Sequence, residues 1–182
     1  MPSTSEQRLS ELGEKMNEVK LSRETYLFNT PLETGLRCLV ILAGLENKAI
    51  DIQRLIYLDY LLTHYGDVEP EVESLHPSTP SRSGEILIKR DLVSQGLHLM
   101  ISKKLINIEY GKNGILYGAT PYSKAFLQHF ESNYMLRLLD VNKLLIDKFS
   151  NYTDVELKNF IMRNIDRWGG EFVKEAFVRG GN

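Results

Sequence analysis

The sequence predicts a mainly α-helical protein with one small β-hairpin, followed by further helices. Three observations carry this. Apolar residues recur at helical spacing from about residue 30 to 104 and again from about 120 to 168. Between those blocks the period shortens to two around the turn Gly111-Lys112-Asn113-Gly114. Length and composition allow one sizeable core: 182 residues, 42% hydrophobic and 25% charged.

Residues 1–28 form a polar arm of mixed charge. Leu9, Leu12, Met16, Val19 and Leu21 give it a weak amphipathic pattern that needs a partner surface. The first firm helix opens at "NTPLETGLRCLVILAGL". Thr30 is its N-cap, Pro31 its first residue and Glu33 the reciprocal capping-box acid. Leu32, Leu36, Leu39, Val40 and Leu42 or Ala43 supply the buried side, and Gly44 ends it. Cys38, in this run, reads as a buried, inert thiol.

The second helix, "DIQRLIYLDYLLTHYG", starts from Asp51. Ile52, Leu55, Ile56, Leu58, Leu61 and Leu62 form a broad apolar face, which leaves Asp59 on the wet side. Gly66 closes it. "DVEPEVESLHPSTPSR" then makes a loop of 16 residues, well beyond the usual connection of about 4–6. Pro77 and Pro80 fix φ and remove two donors, and push His76 and Thr79 toward extended backbone. The loop is a shaped strap. The third helix runs from near Ser83, capped by Ser81 or Ser83, to about Lys104. Leu87, Leu92, Leu97, Met100 and Ile101 face inward, and Gly96 permits close packing or a slight bend.

Leu105–Tyr110 and Ile115–Tyr117 are the strands of the hairpin. Thr120-Pro121 opens a helix to about Phe130, with Phe126 and Leu127 inward. The next helix carries Met135, Leu138, Leu139, Asn142, Leu145 and Phe149 on one side. Thr153 and Glu156 form a capping box for the last, whose stripe is Leu157, Phe160, Ile161, Asn164 or Ile165, and Trp168.

Three helices and a hairpin, in that order, are the layout of a winged-helix domain over residues 29–119, with residues 120–182 as a C-terminal helical region. Such a domain either binds DNA or docks protein, and the layout does not choose. Charge helps. Residues 82–112 hold six cations (Arg82, Lys89, Arg90, Lys103, Lys104 and Lys112) against three acids, on a chain with net charge −2. These six are the candidates for DNA contact. The third helix is nevertheless as apolar as it is basic, which favours protein docking over base reading.

The catalytic alternatives are thin. His76 is the best lone candidate for acid–base chemistry, but the Ser/Thr residues around it lack a nucleophile elbow. Asp59, Asp67, Glu69, Glu71 and Glu73 lack the spacing of a calcium loop and read as a solvated acidic stretch. Cys/His spacing gives no zinc site, and no phosphate-binding glycine motif is present. No catalytic residue, metal or cofactor is therefore assigned. The N-terminus lacks a signal-type apolar core and no run reaches the roughly 18 apolar residues of a membrane span, so a cytoplasmic location is expected.

Taken in order, "NTPLETGLRCLVIL", "IQRLIYLDYLLTHYGD", "SLHPSTPSRSGEILIKRDLV", "GLHLMISKKLI" and "DRWGGEF" resemble the small middle component of ABC-three-component systems, over about residues 27–173. Those bacterial systems include Lamassu-type anti-phage complexes. The resemblance implies a non-catalytic adaptor with a winged-helix core, joined to an SMC-like ABC ATPase and an effector, often a nuclease. It makes "LHP…TP…RSGE" part of a family-like pattern, so His76, Pro77, Pro80 and Arg82 are expected to dock a partner or set the fold. Trp168, near a terminus, is either a further interface anchor or a core plug against the hairpin. The rival expectation is a free-standing winged-helix transcription regulator.

Overall fold

The computed structural model describes residues 30–46, 48–77, 82–112, 114–164 and Trp168, with 82–88 described by backbone alone. The expected N-terminal arm, Pro80, the cap at Ser81 and Ile165 lie outside the described residues. The architecture is mainly helical, with a two-stranded antiparallel hairpin.

Helix α1, Pro31–Gly44, is the centre of the molecule. Helices α2 (Ile52–Thr63), α3 (Arg82–Ser102), α4 (Pro121–Leu127) and α5 (Asn133–Phe149) all pack against it, as does strand β2 (Gly114–Ala119). Every residue from Arg37 to Ala43 is consequently buried, because a helix enclosed by neighbours has no wet face. Thr30 caps it as expected, its Oγ1 accepting the Glu33 N–H at 3.2 Å. Two expectations fail at this end. Leu32 is exposed, on a side of the first turn other than those where α3 meets Pro31 and α5 meets Glu33. The Glu33 carboxylate turns inward to Arg37 and Tyr134 instead of closing a capping box.

Asp51 caps α2, its Oδ1 accepting the Arg54 N–H at 2.8 Å. All residues from Arg54 to Thr63 are buried, Asp59 among them. The expected wet side of this helix is covered by α1 and α3. Arg54 reaches out of α2 to hold the next junction: Nη1 donates to Asp154 Oδ1 at 2.7 Å and Nη2 to the Tyr152 carbonyl at 2.7 Å.

Helix α3 crosses α1 at two glycines. A β-carbon on Gly96 would stand 2.6 Å from the Gly35 nitrogen, and one on Gly35 would stand 2.7 Å from the Gly96 oxygen. The helix stops in a left-handed turn. The Lys104 N–H donates to the Ile101 carbonyl (2.9 Å) and the Leu105 N–H to the Met100 carbonyl (3.0 Å), with Lys104 at φ 59°. That is the Schellman pattern, in which the left-handed residue is usually glycine. Lys104→Gly is therefore expected to stabilise the protein by about 0.5–1 kcal/mol. A thermal melt that moves down would refute this reading of the turn.

Strand β1, Ile106–Gly111, pairs with β2 in the register Ile106↔Ala119 to Gly111↔Gly114. Ile50, between α1 and α2, adds a short bridge on the other side of β2: its N–H donates to the Tyr117 carbonyl (3.0 Å) and it accepts from the Tyr117 N–H (2.8 Å). Thr120 and Ser123 cap α4 and tie it to the end of α3, Ser123 Oγ donating to the Leu105 carbonyl at 2.6 Å. Leu127 is buried as expected, whereas Phe126 lies at the surface against Phe130, because α4 covers the core with one edge only.

Helix α5 buries Met135, Leu138, Asn142, Leu145 and Phe149, with Leu139 half-buried. Asn142 Nδ2 donates to the Val40 carbonyl at 3.0 Å. Helix α6, residues 154–164, opens on the expected capping box: the Glu156 N–H donates to Thr153 Oγ1 and the Thr153 N–H to Glu156 Oε2. One buried cluster runs from Cys38 through Leu138 to Trp168.

Candidate docking site

The strap after α2 is held by its own chain. The Gly66 N–H donates to Ser74 Oγ at 3.1 Å and the His76 N–H to the Thr63 carbonyl at 3.0 Å. Glycine is required at 66, where a β-carbon would meet Ser74 Oγ and the Val72 oxygen at 2.8 Å. From α5, Arg137 Nη2 donates to Glu73 Oε2 and Lys148 Nζ to Glu69 Oε1, both at 2.8 Å. The acids read as a solvated stretch thus include two anchors. Each exposed pair adds little alone; together they lay the strap along α5.

His76 is buried at the end of this strap. Its Nε2 lies 3.2 Å from Tyr134 Oη and 3.3 Å from Glu33 Oε1. The imidazole faces its own core, which makes His76 a fold-setting residue. Pro77 is exposed beside it. Pro80 and the side chain of Arg82 lie outside the described residues.

Glu33 connects His76 to a buried charge cluster. Its Oε1 accepts from Arg37 Nη1 (2.9 Å) and Tyr134 Oη (3.0 Å). Arg37 Nε donates to Asp59 Oδ1 (2.6 Å) and Nη2 to Thr34 Oγ1 (3.2 Å). Lys89 Nζ donates to Asp59 Oδ2 (2.8 Å) and Thr63 Oγ1 (3.3 Å). Two cations meet two carboxylates, so the cluster balances. Burial opposes the charge on Asp59, but Arg37 and Lys89 outweigh it and hold the carboxyl well below the usual range. Burial, with Glu33 adding to it, pushes the Tyr134 phenol up, so it stays protonated and donates. Burial likewise pushes the Cys38 thiol up and keeps it unreactive.

This arrangement fixes helices; among the described residues its carboxylate, imidazole and phenol are bonded to one another. It also corrects an expectation. Lys89 cannot meet phosphate, because it is buried against α2. Of the other described cations, Arg90 is exposed and donates to Gln53 Oε1 at 3.1 Å. Lys103, Lys104 and Lys112 are exposed at the base and tip of the hairpin.

Sequence reasoning missed the cluster, though a signal was there. Arg37, Asp59 and Lys89 are each embedded among apolar residues in "LRCLVIL", "LIYLDYLL" and "ILIKRDLV". An isolated charge inside an apolar run, as at Arg37 and Asp59, needs a buried partner; at Lys89 the neighbouring Arg90 and Asp91 mask the signal.

Trp168 sits in the core. Its Nε1 donates to the Asp67 carbonyl at 3.0 Å, and its ring lies 5.8 Å from Tyr60 and 6.1 Å from Phe160. It closes α6 against α2 and the short 3-10 turn Tyr65–Asp67.

Residues 27–171 match the family model described as ABC-three component (ABC-3C) system Middle Component 2. The chain belongs to this family. The match confirms the resemblance seen in the sequence and makes the protein a component of an ABC-three-component system. No curated protein and no solved structure matches it. The match takes in the buried cluster, the strap, the hairpin and Trp168, so these are parts of the Middle Component 2 region. Among the described residues of this Middle Component 2 chain, no helix is long and apolar enough to cross a membrane.

Proposed function

We propose that this chain is a non-catalytic adaptor that links an SMC-like ABC ATPase to an effector, often a nuclease, in a cytoplasmic Lamassu-type anti-phage or anti-plasmid complex. The observation that carries this reading is the family match over residues 27–171. The core of the adaptor is a winged helix over 29–119, followed by a C-terminal helical region over 120–182 whose described helices α4 and α5 pack on α1. The order α1–α2–α3–hairpin supports that core, as does the Ile50 bridge, which stands where a winged helix places its first short strand.

The engaged state of His76 supports a fold-setting role over chemistry, since its ring is committed to Glu33 and Tyr134. DNA contact belongs to the assembled complex. With Lys89 buried, the described surface cations of the third helix and hairpin reduce to Arg90, Lys103, Lys104 and Lys112, a thin set for holding a duplex unaided.

Affinity capture tests the reading. The tagged chain, co-expressed with the ABC ATPase and effector encoded beside it, is expected to retain both through size exclusion. The isolated chain is expected to bind a short duplex weakly and without sequence preference. A tight, sequence-specific footprint with steep salt dependence would instead establish a free-standing regulator.

A further inference from the structure

The outer half of the hairpin carries an apolar face that no other described residue covers. In the antiparallel register Ile108 stands opposite Tyr117 and Tyr110 opposite Ile115, so all four share one face. Ile106, on the same face at the base, is 2% exposed and belongs to the core. Farther out, Ile108 is 39% exposed, Ile115 48% and Tyr110 86%. The core surface thus continues onto an arm that leaves the body. Asn107 and Glu109 occupy the opposite face, where Asn107 Nδ2 donates to Glu109 Oε1.

Cations bracket this face. Lys103 and Lys104 precede its base and Lys112 follows its tip; all three are exposed, and no described residue forms an ion pair with them. An apolar centre with positive ends fits a partner with an apolar stripe and negative ends. Duplex DNA fits less well, because phosphate contact calls for cations and hydroxyls across the middle of the surface, and here the middle is Ile108, Tyr110 and Ile115.

We propose that this face of the hairpin docks an acidic amphipathic helix of another subunit of the complex. The proposal rests on the adaptor reading and names the partner chemistry for one of its surfaces. The six residues of β1 span about 20 Å at ~3.3 Å each, the length of roughly 13 helical residues. The occupant is therefore a helix of about three to four turns, with leucine-like residues at i, i+3, i+4 and i+7 and Asp or Glu at both ends of the stripe. Tyr110 is the expected anchor, being the largest and most exposed of the group.

The test uses the full chain co-expressed with the ATPase and effector. Tyr110 is replaced by the photo-crosslinker benzoylphenylalanine, and the peptide joined on irradiation is sequenced. The expected product is a partner-subunit segment with helical apolar spacing and flanking carboxylates. In a second arm, the Tyr110→Ala/Ile115→Ser variant and the Lys103→Glu/Lys104→Glu/Lys112→Glu variant are expected to lower capture of that subunit at least tenfold while melting within a few degrees of wild type. Crosslinking only to nucleic acid, only to a second copy of this chain, or to nothing while the complex assembles overturns the proposal. Undiminished capture by both variants does so too, and leaves the adaptor reading standing. If the wild-type chain captures neither subunit, the adaptor reading itself falls and takes this one with it.

Discussion

Asp59→Asn is expected to cost about 3–5 kcal/mol, the range for breaking a buried ion pair from one side. Domains of this size are stable by about 5–15 kcal/mol, so much of the margin would go. The carboxylate is fully buried between Arg37 Nε at 2.6 Å and Lys89 Nζ at 2.8 Å. Without its charge, both cations remain in the core with too little to offset their desolvation. Urea denaturation checks the size, and a loss below about 1 kcal/mol would mean that the cluster relaxes into water. Neutralising all four groups together, Glu33→Gln/Arg37→Met/Asp59→Leu/Lys89→Met, is expected to recover most of that loss, because it removes the desolvation cost with the attraction and leaves no carboxylate behind.

The same residue sets the acid limb. The folded Asp59 carboxyl is held well below its ordinary value, while the unfolded one protonates near about pH 3.9. Above that pH its contribution is fully present. As pH falls through 4 and below, the unfolded chain takes up the proton first, so stability drops toward the folded value. Asp59→Asn should lack this component of the slope below about pH 4.

Gly96→Val is expected to cost about 3 kcal/mol or more, with Gly96→Ala somewhat less. Helix propensity alone favours alanine over glycine by about 1 kcal/mol, so the sign distinguishes packing from propensity. A β-carbon at 96 meets the backbone of α1, at 2.6 Å from the Gly35 nitrogen and 2.8 Å from its Cα. Backbone cannot swing aside as a side chain can, so α3 must move off α1. That would also drag Lys89, on α3, away from Asp59 on α2. Thermal melting checks it; an unchanged or higher midpoint for Gly96→Ala would show that the crossing yields cheaply.

Much of the local structure was legible because its causes are local. Thr30, Asp51 and Thr153 cap helices through bonds to residues three positions away, and the turn at residues 111–114 sets the hairpin register. The stripe of α5 was legible for the same reason: that helix has one covered side, so its period shows which. Leu32 and Phe126 were misread because their exposure depends on which side of each helix its neighbours cover.

The docking residues divide similarly. The long connection between α2 and α3 was legible, but whether His76 faced a partner or its own core was not. Its contacts, Glu33 and Tyr134, lie on α1 and on α5, the latter 58 residues away. Trp168 likewise finds its acceptor 101 residues back, at Asp67.

By itself the sequence determined the order of elements, their caps and turns, and the ordered motifs that place the chain in the Middle Component 2 family. The tertiary structure alone decided that Asp59 and Lys89 are core residues, that His76 and Trp168 turn inward, and that Tyr110, Ile108 and Ile115 are exposed among the described residues. Periodicity records which side of an element is apolar. Whether that side, or a lone charge on it, ends in the core or in water depends on which distant segments pack across it.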